Sequence, residues 1–242
     1  MALLYVFILA LVQGITEFLP VSSSGHLVLI AEGANALNGE IPLKSEAENL
    51  TLNIAVHVGT LFAVCLYFWR DLLAIAKGGT SLLSGHFDQQ GKLLVYIIVA
   101  TVPIAIMGLF FKENIALDLQ NVEVVAWATI IFAIVLYFAD TMGLLTKKLE
   151  DMSLGPAALI GIAQVLALIP GTSRSGITIS MALVLGFERK DAARFSMLLA
   201  IPTIAGAGLL GFYDLVQASD LALGLEAFVS AFLAFIFALA AI

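Results

Sequence analysis

The chain predicts an all-α fold: a polytopic integral membrane helical bundle with inverted-topology repeats and two broken, re-entrant helix–loop–helix segments. Three observations carry this reading. First, 61% of the 242 residues are hydrophobic and 12% charged, with a mean hydropathy of +1.06, against roughly 25% charged in a soluble domain. Second, apolar runs recur near 1–12, 50–69, 93–111, 122–139, 154–169, 195–213 and 227–242. They approach or reach the roughly 20 helical residues that cross a bilayer. Third, two polar knots interrupt this apolar sequence, from Gln13 to His26 and from Pro170 to Thr178.

Taken in order, the run from Met1 has no basic n-region and no clear cleavage site, so it reads as a retained helix. The stretches 15–31 and 177–187 are too short, too polar or too interrupted to be ordinary spans. No ten-residue alternation suggests a barrel, which leaves helices to satisfy the backbone in lipid. Cys65 is the single cysteine, so no intrachain disulfide or cysteine metal cluster forms. The net charge of −7 argues against a nucleic-acid partner. Ala205-Gly206-Ala207-Gly208 suggests close helix packing. Tyr67, Trp69 and Tyr213 suit an interfacial belt.

Basic residues are unevenly spread. Loop 70–92 carries Arg70, Lys77 and Lys92, loop 140–153 carries Lys147 and Lys148, and loop 187–194 carries Arg189, Lys190 and Arg194. The intervening loops hold only Lys44 and Lys112. The positive-inside rule places the first group in the cytoplasm. The knots also parallel one another: Gly14-Ile15-Thr16-Glu17 matches Gly161-Ile162-Ala163-Gln164, and each is followed by a proline and a Ser-Gly pair. Equivalent loops of opposite charge character imply inverted halves, approximately 1–121 and 122–242 of a single transmembrane domain (1–242). In such folds broken helices meet near the midplane and form the site.

The chemistry is expected between the knots, because ionisable groups at membrane depth cost a few kcal/mol and usually mark function. In the second knot, Gly171, Thr172, Ser173, Ser175, Gly176 and Thr178 surround Arg174 at a helix start. Backbone N–H groups, hydroxyls and a planar guanidinium make an anion cradle. Arg174 has two bland alternatives, snorkelling to a headgroup or pairing with Glu17 for structure. In the first knot, Gln13 and Glu17 are four apart and share a helix face. Ser23 and His26 are three apart, so a helix starting near Ser22 sets a hydroxyl beside a base. Ser22–Ser24 equally suit simple capping, and His26 a packed core histidine. Glu17 can hold a divalent cation, orient His26, or both. His57 lies in a span and can line the cavity, whereas His86 sits in a polar loop.

Both knots resemble signatures of the bacterial undecaprenyl-pyrophosphate phosphatase (bacitracin-resistance protein) family. The first pattern, Glu or Gln four before Glu, corresponds to Gln13 and Glu17, running on through Pro20-Val21-Ser22-Ser23-Ser24-Gly25-His26. The second, Pro-Gly-x-Ser-Arg-Ser-x-x-Thr, runs from Pro170 to Thr178. The resemblance covers essentially the whole chain. It implies a hydrolase that converts undecaprenyl pyrophosphate to the monophosphate plus inorganic phosphate, recycling the carrier for peptidoglycan and giving bacitracin resistance. It also implies a divalent cation, Mg²⁺ or Ca²⁺, associated with Glu17 and Gln13, and a diphosphate clamp at Arg174. Ser23 and His26 become nucleophile and base candidates, with Ser22, Gly171, Thr172, Ser173, Ser175, Gly176 and Thr178 lining the phosphate pocket.

The partners implied are the polyprenyl pyrophosphate and membrane lipids, with room for a homodimer. The location is the bacterial inner membrane, with the site facing the periplasm. Two departures stand out: Gln13 replaces a common glutamate, and Ser24 a common threonine. The chain also ends at Ile242 inside an apolar run, so its C-terminal span is expected to be truncated. The competing reading is a transporter or flippase of a lipid phosphate or other anion, which shares the cradle but needs no Ser23 chemistry.

Overall fold

The computed structural model describes residues 2–36, 46–111, 121–218 and 221–242. Ten α-helices follow one another: α1 (Ala2–Thr16), α2 (Ser23–Ala36), α3 (Glu46–Tyr67), α4 (Trp69–Leu83), α5 (Gln89–Phe111), α6 (Val122–Met142), α7 (Leu154–Gln164), α8 (Arg174–Val184), α9 (Arg189–Ala218) and α10 (Leu221–Ala241). Among the described residues no strand forms beyond an isolated bridge between Lys147 and Phe187. Among the described residues five helices, α3, α5, α6, α9 and α10, are long and apolar enough to cross a membrane, so the protein is multi-pass. The runs at 1–12 and 154–169 form shorter helices, α1 and α7. Lys44 and Lys112 lie outside the described residues.

The stretch 70–92, expected as a loop, is largely the helix α4. Its apolar positions fall on one face, where Ile75 and Gly78 are buried, and Gly78 lets its backbone approach Gly91 of α5. Arg70 and Lys77 stay exposed. A helix with one apolar face and one charged face lies naturally at an interface. At the α3–α4 junction, half-exposed Trp69 is covered by the Arg70 guanidinium, 5.2 Å from the ring centroid.

The three basic stretches gather at one end of the bundle. Arg194 of α9 pairs with Asp71 of α4, and Arg189 pairs with Asp140 of α6. Lys147 Nζ donates to the Leu185 carbonyl at 2.8 Å. A polar cleft of about 210 Å³ joins Lys92, Glu150, Asp191 and Arg194. Since α3 has 22 residues and rises 1.5 Å per residue, its start lies about 33 Å away, at the other end.

Two helical hairpins follow from these anchors. The α7–α8 pair enters and leaves at the basic end, because Thr146 and Lys147 N–H groups bond the Gly186 carbonyl just past α8. The α1–α2 pair occupies the opposite end, where Tyr5 of α1 donates to Asn49 at the start of α3, at 3.1 Å. Each hairpin has its own apolar cluster. Val6, Leu9, Leu27, Val56 and Ala234 pack about α1–α2, and Ile160, Leu183, Phe187, Phe195 and Leu198 about α7–α8.

In the two hairpins, close packing uses glycines at matching places. A Cβ on Gly14 would sit 2.6 Å from Phe237 Cβ of α10, and one on Gly161 2.6 Å from Ala100 Cα of α5. We predict that Gly161→Val lowers the thermal midpoint in detergent by several degrees, from an overpacking cost of about 1–3 kcal/mol. Gly155→Ala, where nothing lies within 4 Å of the added carbon, should leave it unchanged. Equal midpoints for the two variants would contradict this packing.

Candidate active site

Each hairpin turns at its tip on the same device. After α1 the chain passes Pro20 and reaches Ser22, whose φ is +59°; after a short 3-10 segment, Val165–Leu168, it reaches Ser173, whose φ is +62°. Left-handed backbone costs an L-residue roughly 1–2 kcal/mol, so two serines holding it mark over-determined turns. Ser22 Oγ accepts from the Gly25 N–H at 3.2 Å, and Ser173 Oγ from the Gly176 N–H at 3.1 Å. Both serines therefore cap a helix, α2 and α8 respectively, and leave the next N–H groups of each first turn without helical acceptors.

The tips meet. Ser175 Oγ donates to the Leu19 carbonyl at 2.9 Å, and a Cβ on Gly176 would lie 3.7 Å from Pro20. Helix α6 backs both tips: Val125 approaches Gly25 and Gly171, and Thr129 donates to the Gly171 carbonyl at 3.1 Å. Gly171 adopts φ +95° with no room for a Cβ against that backbone.

The chemistry collects on Glu17, whose side chain is 5% exposed. Arg174 NH2 donates to its Oε1 at 3.1 Å. Its Oε2 accepts from Gln13 Nε2 at 2.5 Å and from Ser23 Oγ at 2.9 Å. His57 Nε2, midway along α3, stands 3.6 Å from the same Oε2. Arg174 is steadied from behind, where NH1 donates to the Ser196 carbonyl of α9 at 3.4 Å.

The structure thus joins Gln13, Glu17, Ser23 and Arg174. His26 stands apart from that cluster: its Nδ1 donates to the Ser22 carbonyl at 2.8 Å and the residue is exposed. A carbonyl only accepts, so Nδ1 carries a proton. Ser173 and Ser175 face each other at 3.3 Å. Thr178 pairs with Ser196 Oγ at 2.7 Å, behind Arg174. Thr172 is buried with its hydroxyl unpartnered.

Two contributors, His57 and Ser196, lie outside the motifs. His57 carries a sequence signal, an imidazole inside a span; Ser196, one serine in an apolar helix, carries none.

The donor set fits a hard cation. Glu17 offers a carboxylate, and Gln13 Oε1 is a buried oxygen without a partner. Among the described residues no three His, Cys, Asp or Glu side chains gather into a cage. Such a sparse oxygen set suits Mg²⁺ or Ca²⁺ that brings phosphate oxygens and water of its own.

Two helix N-termini, a guanidinium and a hydroxyl held on a carboxylate are an arrangement able to bind an anion and suited to phosphoryl chemistry. The chain belongs to the bacitracin resistance protein BacA family, whose model matches residues 6–242. It is 45% identical to a protein of Jannaschia sp. named undecaprenyl-diphosphatase, over all of this chain and 88% of that protein. Proteins of the same name from Roseobacter denitrificans and Teredinibacter turnerae are 44% and 46% identical, over 100% and 98% of this chain and 88% of each relative.

Removing Arg174 alone leaves a buried carboxylate without its charge partner. Arg174→Gln should cost about 3–5 kcal/mol of stability. Adding Glu17→Gln to that variant should recover much of the loss in a denaturation series. A double variant less stable than Arg174→Gln would contradict the pairing.

Proposed function

We propose that this protein hydrolyses undecaprenyl pyrophosphate to undecaprenyl phosphate and inorganic phosphate. The observation that carries the reading is Ser23 Oγ held on Glu17 Oε2 beside Arg174. An anion transporter would use the cradle, but it has no need of a hydroxyl held on a carboxylate. By recycling the lipid carrier the enzyme serves peptidoglycan synthesis, and by consuming the pyrophosphorylated form it confers bacitracin resistance.

Arg174 binds the diphosphate through its planar fork, and the first-turn N–H groups of α2 and α8 offset charge on the phosphate oxygens. Ser23 Oγ attacks the terminal phosphorus while its proton passes to the Glu17 carboxylate on which it is held. The anhydride bond breaks and undecaprenyl phosphate leaves. Water then cleaves the phosphoserine, regenerating the hydroxyl and releasing phosphate. His26, its ring fixed by the Nδ1 bond to the Ser22 carbonyl, serves as the base for that water. Glu17 and Gln13 would hold the divalent cation, which when bound supplies charge neutralisation to the diphosphate.

The hairpins support inverted halves. Helices α1 and α7 run inward from opposite ends, and α2 and α8 run back out. The basic end is assigned to the cytoplasm of a bacterial inner membrane by its lysines and arginines. The site then opens toward the periplasm, the side to which α2 and His26 return.

The test is phosphate release from undecaprenyl pyrophosphate by purified protein. Ser23→Ala should reduce release at least about 10²-fold in protein that still folds cooperatively. Arg174→Lys, which keeps the charge beside Glu17 but loses the fork, should reduce it similarly. Wild-type rates in Ser23→Ala would remove the nucleophile, and no release from folded wild-type protein would turn the reading toward transport.

A further inference from the structure

His57 presents a problem that the phosphatase reading leaves open. Its Nδ1 lies 2.6 Å from the Asn53 carbonyl, one turn earlier on α3. That carbonyl can only accept, so Nδ1 carries a proton and Nε2 is the ring nitrogen turned toward Glu17. Nε2 stands 3.6 Å from Glu17 Oε2. A nitrogen and a carboxylate oxygen held face to face in an apolar bundle are stabilised by a positive charge between them, carried by a proton on Nε2 or by a bound cation. Nearby, Gln13 Oε1 is fully buried and unpartnered, while the same amide's Nε2 is fixed on Glu17.

We propose that His57 Nε2 is a direct ligand of the divalent cation, completing with Glu17 Oε2 and Gln13 Oε1 a mixed nitrogen–oxygen set. This rests on the phosphatase reading for its cation and goes beyond it in assigning His57. The geometry suits the role. Ligands held about 2.0–2.3 Å from one ion lie roughly 3–3.5 Å from each other, so the 3.6 Å between His57 Nε2 and Glu17 Oε2 needs little adjustment. Metal-binding histidines almost always donate their other N–H to a carbonyl or carboxylate, which fixes the ring as Asn53 does here. The chemistry of the set follows from softness. One imidazole among oxygens shifts preference from Ca²⁺ toward Mn²⁺ and other first-row ions.

The proposal is tested by pulsed electron paramagnetic resonance on purified full-length protein loaded with Mn²⁺ and methylenediphosphonate, a diphosphate that is not hydrolysed. Wild type should show both ³¹P coupling from the diphosphonate and ¹⁴N coupling from an imidazole. The ¹⁴N signal should vanish in His57→Gln and persist in His26→Ala. His57→Gln should also raise the Mn²⁺ dissociation constant at least about tenfold, since even outer-shell losses cost 10–100-fold. Coupling to ³¹P without ¹⁴N overturns the His57 assignment and leaves the phosphatase reading standing. Coupling to ¹⁴N without ³¹P supports His57 and faults the cation's place beside the diphosphate. A ¹⁴N signal that survives His57→Gln also overturns the assignment.

Discussion

The ion pair between Glu17 and Arg174 is the constraint on which the site depends. The two residues are 157 positions apart, one near each hairpin tip. Each is nearly or largely withdrawn from solvent, with side chains 5% and 13% exposed. A single charge at such a place costs several kcal/mol. The pair offsets that cost only when both hairpins are docked, which ties their packing to completion of the site. The surrounding bonds are aligned with it. Ser175 ties α8 to the first tip, Ser196 steadies the guanidinium, and Gln13 and Ser23 occupy the far oxygen of the carboxylate.

Ser22 and Ser173 show how the tips are held open for this pair. Each adopts a left-handed backbone that glycine would adopt without strain. Glycine, however, could not supply the Oγ that caps α2 or α8. The serines accept the strain and in return aim two helix N-termini into one space. Strain of this kind gathers at functional sites, because a preorganised cradle need not rearrange when charge develops.

Much of this was legible before the structure. Composition and the seven apolar runs gave the helical membrane class, and Gln13 and Glu17, four apart, share the helix face on which they now bond. The polar knots located both tips. What sequence could not supply was the choice among partners across helices. A three-residue spacing suggested Ser23 beside His26, yet the hydroxyl turns to Glu17 six residues back and His26 turns to its own carbonyl. Periodicity reports which residues share a face, not which of several acceptors a tertiary contact brings nearest. His57 reaches Glu17 through the packing of α3, and no local pattern encodes that approach. The helix α4 was hidden for another reason: its lysine and arginine read as a loop, although its apolar face has helical spacing.

The most direct test of the central claim, that a guanidinium paired with Glu17 carries the reaction, is chemical rescue. Phosphate release from undecaprenyl pyrophosphate would be measured for Arg174→Ala with and without added guanidinium ion, and with ammonium as a control of equal charge. The account predicts an inactive variant that regains part of its rate with guanidinium and not with ammonium. Full activity in Arg174→Ala without any addition would contradict it.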